Sequence, residues 1–299
     1  MIENLNEVKS ATLAFLGRLW EENYIKNRAS IQRTPGVKNL FERFKNTPAI
    51  VVGAGPSLDR NIKYLQYATG KSIIIACDTA LQILRRNRIR PDIVINLDPQ
   101  SNVVNFFEEI DTREITLVAP TICYPPLREA WKGNFFFYNK NAPDIPLLAA
   151  IAQEHQNLGM LTPGGSVLSV AFDLTFKMGA DPIAFIGQDL SYSDNNAYAS
   201  GGHYTGYKSE AIFDIGGNNI VDAVDLFGRT LKTQKSMAVT NEWFKWAFER
   251  WNPDKKRKIY NCSEAGILIS CEQATLSDFV SHHCKKSVNV GWAIKKASK

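Results

Sequence analysis

The sequence has few cysteines, and they form no recognisable pattern. The five cysteines of this 299-residue chain include no CxxC pair; they are Cys77, Cys123, Cys262, Cys271 and Cys284. Paired or clustered cysteines are typical of a disulfide framework or a structural zinc site, so we expect neither. The thiols are predicted to be reduced, which favours a cytoplasmic protein.

Long apolar runs and a strong charge bias are also missing. No stretch approaches the roughly 18 apolar residues of a membrane span, and the first residues lack the basic and then apolar order of a secretion signal. The formal net charge is only +5, from 35 basic and 30 acidic residues. This mild bias does not predict a nucleic-acid partner, although it would help to attract a phosphorylated substrate.

Three common catalytic motifs are absent or incomplete. There is no GxxxxGK[ST] loop, which excludes an ordinary P-loop mechanism. No serine lies in a G-x-S-x-G turn, so serine hydrolysis is not expected. A GxG pair is present, but Leu58 stands where the third glycine of the dinucleotide motif GxGxxG would be, which disfavours a nicotinamide-dependent dehydrogenase.

From residue 49 the chain alternates short apolar runs with helical patterns. Strands are predicted at 49–52, 72–76, 93–96, 115–118, 134–138 and 182–186. This alternation is typical of a mostly parallel sheet with helices on both faces. We therefore predict an α/β, Rossmann-like fold, with an N-terminal helix and a C-terminal helical extension.

We expect three segments without a flexible linker between them. Residues 1–48 would form an N-terminal helical extension, residues 49–220 a Rossmann-like nucleotide-binding core, and residues 221–299 a C-terminal extension packed on the core. The core ends in a long loop rich in glycine and tyrosine around His203. Long polar loops of this kind are often functional lids.

The first of two glycine-rich turns follows the strand at 49–52. Gly53 and Gly55 permit a tight turn and a close approach by a ligand, Pro56 suits the first turn of a helix, and Ser57 could bond to the N–H groups there. Since the first N–H groups of a helix point outward at the positive end of its dipole, this turn predicts a site for phosphate or pyrophosphate. The alternative is an ordinary strand-to-helix turn.

The second turn, Gly164-Gly165-Ser166, opens a helix predicted over 167–178. It would form another helix-start anion site, unless it is a plain helix cap. Two such sites at one edge of a sheet suit a substrate that carries a pyrophosphate, or a phosphate and a carboxylate.

Polar residues cluster where predicted strands end, and ligands of open parallel sheets bind beyond those ends. Asp78 lies about 23 residues beyond the second glycine, Gly55, near the distance at which an acid can bind ribose hydroxyls, although it could instead cap a helix. Asp98 and Gln100 follow the third strand, and Gln188 and Asp189 follow the strand at 182–186. Asp98 and Asp189 could hold Mg²⁺ or act as a general base, or serve as turn and cap residues.

Among the four histidines, His203 is the best candidate for acid–base chemistry, because imidazole titrates near neutrality. The alternative is a simple loop histidine. The other three are expected at the surface: His155, His282 and His283.

Several of these segments resemble the 6-hydroxymethylpterin diphosphokinase-like domain family, which includes the bacterial motility accessory factors. The resemblance runs over about residues 35–280 and is carried by residues 52–58, 77–81, 91–100, 164–167 and 186–192. Residues 227–228, 243–244 and 260–266 resemble the usual ending of the bacterial branch. The chain is shorter than the motility factors, which commonly carry flanking regions.

The resemblance implies a Rossmann-like sheet and one of two activities. In the bacterial branch, a nonulosonic (sialic-type) acid would pass from a CMP-activated donor to a hydroxyl acceptor such as flagellin. In the archaeal branch, ATP would give its pyrophosphate to a hydroxymethyl dihydropterin with Mg²⁺, for which Asp98 and Asp189 are the candidate ligands. Mg²⁺ is therefore expected only for the second activity.

We favour the glycosyltransferase. The first turn, with Asp78, Asp98, Gln100 and Gln188, would bind the nucleotide, the second turn would bind the sugar carboxylate or phosphate, and Asp189 or His203 would move the proton. The alternatives are the pyrophosphokinase and a non-catalytic nucleotide-binding protein. In the last case the aromatic helix with Trp243 and Phe244 could be a partner surface, unless it packs against the sheet.

Overall fold

The computed structural model describes residues 2–299, except for the side chains of residues 2–9, 11, 215, 216 and 218. The helices in this range are α1 Ile2–Ile31, α2 Leu58–Asn61, α3 Leu65–Ala68, α4 Leu81–Arg86, α5 Pro126–Ala130, α6 Pro146–Glu154, α7 Val167–Lys177, α8 Ser209–Gly216, α9 Lys235–Trp251, α10 Leu276–His283 and α11 Val290–Ala297. Within the described chain, no helix combines the length and apolarity that crossing a bilayer requires.

The strands are β1 Ala49–Val52, β2 Ile73–Cys77, β3 Ile93–Ile95, β4 Thr116–Pro120, β5 Phe135–Lys140, β6 Met160–Leu161, β7 Ile183–Ile186, β8 Ile220–Val224, β9 Thr230–Gln234, β10 Ile259–Asn261 and β11 Glu272–Gln273. Short 3₁₀ helices connect them at Val37–Leu40, Ile62–Tyr64, Asp78–Ala80, Ser101–Phe106, Gln156–Leu158, Ser193–Asn195 and Gly217–Asn219.

Nine strands form one parallel sheet in the order β11-β10-β7-β1-β2-β3-β4-β5-β6. The chain adds strands outward from β1 to β6, and then returns through α7 to place β7 on the other side of β1. Val52, at the end of β1, aligns with Ala76 of β2 and with Ile186 of β7. The strand order therefore reverses at β1 and β7. The predicted Rossmann-like α/β fold is confirmed.

The central strands are apolar along their whole length because helices cover both faces of the sheet. All four residues of β1 are buried. Val51 packs with Phe172 of α7 and Phe244 of α9 on one face, and Ile50 packs with Leu58 and Phe279 on the other. The aromatic stripe of α9 is thus part of the core, so it does not supply an exposed partner surface.

Helix α1 covers the ends of the strands on the β3–β5 side. The buried Asn23 donates hydrogen bonds to the backbone carbonyls of Pro99 and Ile122, at 2.9 and 3.1 Å. Asn27 does the same to the carbonyl of Cys123, at 2.9 Å. These amides fix the helix to the loops that follow β3 and β4, because they satisfy carbonyls that the sheet leaves unpaired.

The surface position predicted for His155 is wrong. Its side chain is buried, and Nε2 lies 3.0 Å from the hydroxyl of Tyr24 on α1. The prediction failed because α1 packs over His155 and buries it, whereas α6 alone would leave this residue exposed. His282 is exposed and His283 is half-buried.

Candidate functional site

A cavity of about 290 Å³ opens where the strand order reverses. Its walls come from the turn after β1, the turn after β7, and the amino ends of α7 and α9. The lining residues are Ala54, Gly55, Cys77, Thr79, Gly165, Ser166, Val167, Leu168, Gly187, Gln188, Asp189, Leu190, Ser191, Ala197, Tyr198, Gln234, Ser236, Met237 and Thr240. Ligands of open α/β sheets bind at such a reversal. We call this space the switch-point cavity.

Two helices direct their amino ends at this cavity. Helix α7 has 11 residues and α9 has 17, and neither N-cap residue, Ser166 or Gln234, makes a side-chain cap hydrogen bond. The backbone N–H groups of Val167 and Leu168 have no hydrogen-bond partner among the described residues. Because helix amino ends carry partial positive charge and outward N–H groups, this wall of the cavity suits an anion.

Side chains of α7 itself hold the turn that precedes it. Asp173 accepts hydrogen bonds from the backbone N–H of Thr162, at 2.6 Å, and from Lys177 Nζ, at 2.8 Å. Ser169 Oγ accepts from the N–H of Gly164, at 2.6 Å. The free N–H groups of α7 are therefore presented from a braced turn.

Gln188 contributes buried polar atoms that have no partner. The side chain is 1% exposed and lines the cavity, and neither Nε2 nor Oε1 makes a hydrogen bond to the part of the chain that the structure describes. Ser166 Oγ is likewise buried and has no hydrogen-bond partner among the described residues. Unpaired buried polar groups are costly and call for an explanation, which a ligand or ordered water would provide.

The first glycine-rich turn is not open to an anion in the predicted way. Asp189 accepts a hydrogen bond from Ser57 Oγ, at 2.5 Å, and another from the Ser57 backbone N–H, at 3.1 Å. The N–H of Gly55 donates to the carbonyl of Gly187, at 2.9 Å, and α2 is a single turn. The phosphate site predicted at Gly53, Gly55, Pro56 and Ser57 is thus filled by a carboxylate of the protein itself.

The glycines of this turn are required by the neighbouring turn of β7. A Cβ on Gly53 would lie 2.3 Å from the carbonyl oxygen of Gly187, and one on Gly55 would lie 2.4 Å from Asp189 Oδ1. Gly164 has a comparable packing role in the second turn, because a Cβ there would lie 2.1 Å from Trp243 Cδ2. In contrast, Gly165 is exposed and lines the cavity.

Asp189 is almost completely buried at the cavity wall. Burial raises the pKa of its carboxyl, and the hydrogen bonds from Ser193 and Ser57 oppose that shift. The carboxylate therefore joins the two turns and also lines the switch-point cavity.

Asp78 faces inward. It is 2% exposed, accepts hydrogen bonds from Asn96 Nδ2 at 3.0 Å and from the backbone N–H of Thr79 at 2.9 Å, and opens the 3₁₀ helix Asp78–Ala80. Burial is the main reason why its pKa rises to about 6. Cys77, and not Asp78, is the N-cap residue of this helix. The side chain of Asp78 instead links the ends of β2 and β3 through Asn96.

Asp98 lies in a second cavity, on the α1 side of the amino end of α7. Its Oδ1 accepts the backbone N–H of Gln100, at 2.9 Å, and burial raises its pKa. Asp189 lines the switch-point cavity instead. The two carboxylates named as candidate Mg²⁺ ligands thus line different cavities, and the described residues contain no cluster of three or more metal-ligating side chains.

His203 is exposed in a third cavity, which Arg85, Arg86 and Glu108 also line. Its ring contacts Phe106, with 5.8 Å between the centroids. The two predicted catalytic residues, Asp189 and His203, therefore line different cavities.

Sequence reasoning missed the contribution of α9. Ser236 and Thr240 of α9 line the switch-point cavity together with Gln234, the last residue of β9. Thr240 Oγ1 would lie 2.6 Å from a Cβ on Gly165. The helix itself is predicted from its periodicity, but no local signal shows that its amino end returns to the ends of β1 and β7. Tyr198 could have been found, since it belongs to the Gly/Tyr-rich loop.

Fold and site together define a Rossmann-like α/β protein with an anion-suited cavity at its strand-order reversal. The chain belongs to the family described as "6-hydroxymethylpterin diphosphokinase MptE-like", whose model matches residues 22–195, more than half of its length. The family resemblance noted in the sequence is thereby confirmed.

A solved structure, described as that of "MAf glycosyltransferase from Magnetospirillum magneticum AMB-1", shares the fold. Its TM-score is 0.67 at 18% identity, and the match covers 92% of this chain and 40% of the other.

Two proteins of Treponema pallidum (strain Nichols), both described as uncharacterized, are also similar. One is 36% identical over 85 residues, 28% of this chain and 39% of the relative. The other is 25% identical over 197 residues, 64% of this chain and 33% of the relative. The chain thus spans two fifths or less of the length of each.

Proposed function

We propose that the chain is a transferase that binds a nucleotide-activated donor in the switch-point cavity. One observation carries this proposal: the buried, unpartnered carboxamide of Gln188 lies in the wall of a cavity that two helix amino ends also face. A carboxamide offers one acceptor and two donors, which suits the edge of a nucleobase. The helix ends suit the phosphate attached to it.

The donor phosphate would be the leaving group, and α7 would stabilise it. The N–H groups of Val167 and Leu168 and the hydroxyl of Ser166 are donors already in place before the reaction. Fixed donors of this kind stabilise developing negative charge without reorganisation. Of the two predicted catalytic residues, Asp189 is the one that lines this cavity, so we assign it the proton transfer from the acceptor hydroxyl.

Among transferases we favour a glycosyltransferase that moves a nonulosonic acid from its CMP-activated form to a hydroxyl, for example on a protein such as flagellin. The support is the resemblance to the bacterial branch and a fold shared, over 92% of the chain, with the Magnetospirillum glycosyltransferase. The Watson–Crick edge of cytosine has one amino donor and two acceptors, to which a carboxamide is complementary.

A diphosphokinase is the second candidate, because that activity appears in the family description. It would need Mg²⁺ between carboxylates and phosphate oxygens. Asp98 and Asp189 line separate cavities, so the geometry favours the CMP-dependent reaction.

Binding of CMP tests the proposal. We expect CMP, without metal, to raise the melting temperature. Gln188→Met should weaken CMP binding about tenfold in calorimetry, because it removes two hydrogen bonds at nearly constant volume. Gln153→Met, at an exposed position of α6, is the matched control. If ATP with Mg²⁺ binds and CMP does not, the diphosphokinase replaces the glycosyltransferase.

A further inference from the structure

A second cavity, which we call the α1 cavity, lies on the other side of the amino end of α7. It has a volume of about 290 Å³ and is bounded by α1 and by the loops that follow β3 and β5. Its lining residues are Thr12, Leu16, Trp20, Leu97, Asp98, Pro99, Lys140, Ala142, Ile145, Pro163, Gly165, Ser166 and Val167. Residues 165–167 line both cavities, so two ligands could meet at the start of α7.

The α1 cavity contains a buried donor without an acceptor. Trp20 is 1% exposed, and its indole Nε1–H has no hydrogen-bond partner among the residues that the structure describes. An indole N–H can only donate, and buried Trp N–H groups usually find a partner. An oxygen of a ligand would supply the acceptor that the protein does not.

Cationic and donor groups line the same cavity, where Lys140 also offsets the negative charge of Asp98. The ammonium of Lys140 lies 4.5 Å from the centroid of the Trp20 ring, and Ser166 Oγ is a second buried group without a partner. The amino end of α7 adds partial positive charge. Apolar side chains such as Leu16 and Ile145 make up much of the remaining wall.

We propose that the α1 cavity is a second substrate site, which takes a carboxylate or phosphate carried on a small apolar or aromatic body. The anionic oxygens would accept from Trp20 Nε1 and Lys140 Nζ, and the apolar body would lie against Leu16 and Ile145. That this second substrate is the acceptor of the transfer rests on the proposed function. The proposal that the cavity binds an anion does not depend on it.

The test uses phenyl phosphate and benzoate as probes and the indole ¹⁵N–¹H signals of the protein as the readout. The chain has six tryptophans, and the spectrum of Trp20→Phe assigns the signal of Trp20. We expect this signal to shift saturably with phenyl phosphate, with benzoate, or with both, and the stronger of the two identifies phosphate or carboxylate as the preferred group. Benzyl alcohol, the neutral control, should bind at least tenfold more weakly.

Two substitutions test the contributions of the Lys140 ammonium and the Trp20 indole to binding separately. Lys140→Met should weaken binding of the better anion about tenfold, as the loss of a charge-assisted contact predicts, while Lys132→Met, at an exposed position, should have no effect. Trp20→Phe should cost about fivefold, because the N–H donor and part of the indole surface are lost while a smaller aromatic ring remains. An unshifted Trp20 signal in the wild-type protein, or equal binding of benzyl alcohol, would overturn the proposal.

A final titration adds phenyl phosphate to protein saturated with CMP. Simultaneous binding supports a separate acceptor site, whereas mutual exclusion would make the α1 cavity part of the donor site and overturn that assignment. Failure of CMP to bind, with a normal response of Trp20 to the probe, would remove the proposed function and leave the anion site in place.

Discussion

The turn after β1 and the turn before α7 are both rich in glycine and both lead into helices, but their N–H groups meet different partners. In the first, the N–H and hydroxyl of Ser57 bind the carboxylate of Asp189. In the second, the N–H groups of Val167 and Leu168 have no partner among the described residues, and Ser166 Oγ is buried and unpaired. One turn is internally complete, and the other is open to a ligand.

The difference arises from the neighbours of each turn. The first passes so close to the turn of β7 that glycine is required, and Asp189 from that turn then occupies the place that a phosphate would take. The second leads into an 11-residue helix that bounds two cavities. A glycine-rich strand-to-helix turn therefore indicates a close approach, and the approaching group can be a second turn as readily as a ligand.

The largest effect is expected from Gly53→Ala. The new Cβ would lie 2.3 Å from a backbone oxygen and 2.6 Å from Leu168 Cδ1, which neither turn can relieve by a change of rotamer alone. We expect a loss of about 4 kcal/mol in the free energy of unfolding, measured by urea denaturation. Gly291→Ala, in α11 and without atoms near its Cβ, should be neutral or slightly stabilising. Equal stability of both variants would refute the close-approach explanation.

The second-largest effect is expected at Asp78, which follows β2, the strand beside the first turn. Its carboxyl has a pKa raised from 3.8 to about 6, mainly by burial. Because the pKa is higher in the folded than in the unfolded protein, this group stabilises the fold fully below about pH 4, and that contribution is lost as the pH rises through about 6.

The side chain of Asp78→Asn cannot ionise, so this variant should not lose stability at this site as the pH rises through about 6. Between pH 4 and pH 7.5, its free energy of unfolding should rise by about 2 kcal/mol relative to that of the wild type. The exposed Asp254→Asn should show no comparable change over the same range. A constant difference between Asp78→Asn and wild type at both pH values would mean that burial does not disfavour the charged carboxylate.

The sheet could be predicted from the sequence because its strands are buried on both faces and therefore read as short apolar runs between turn signals. Its nine-strand order could not, since residues 259–261 and 272–273 join the edge from far along the chain. The burial of His155 was missed for a similar reason. It depends on α1, more than a hundred residues earlier, whose Tyr24 approaches the imidazole.

For the candidate site, the sequence indicates which residues lie at strand ends but not which of them face each other. Ser57 and Asp189 are both recognisable as polar groups at an edge, yet their mutual hydrogen bonds decide that the first turn is closed. The division of Asp98 and Asp189 between two cavities depends on where α7 begins in space. That α9 residues line the switch-point cavity depends on the packing of Trp243 against Gly164.

The smallest expected effect comes from paired serine variants, which compare the two turns directly. Ser57→Ala removes a donor from a buried carboxylate and should cost about 2 kcal/mol of stability, whereas Ser166→Ala removes an unpaired hydroxyl and should change stability by less than about 0.5 kcal/mol. CMP affinity, measured by calorimetry, should fall about fivefold in Ser166→Ala and stay unchanged in Ser57→Ala at a temperature where both are folded. If Ser57→Ala weakens CMP binding and Ser166→Ala does not, the first turn is the ligand site and the closed and open assignments are reversed.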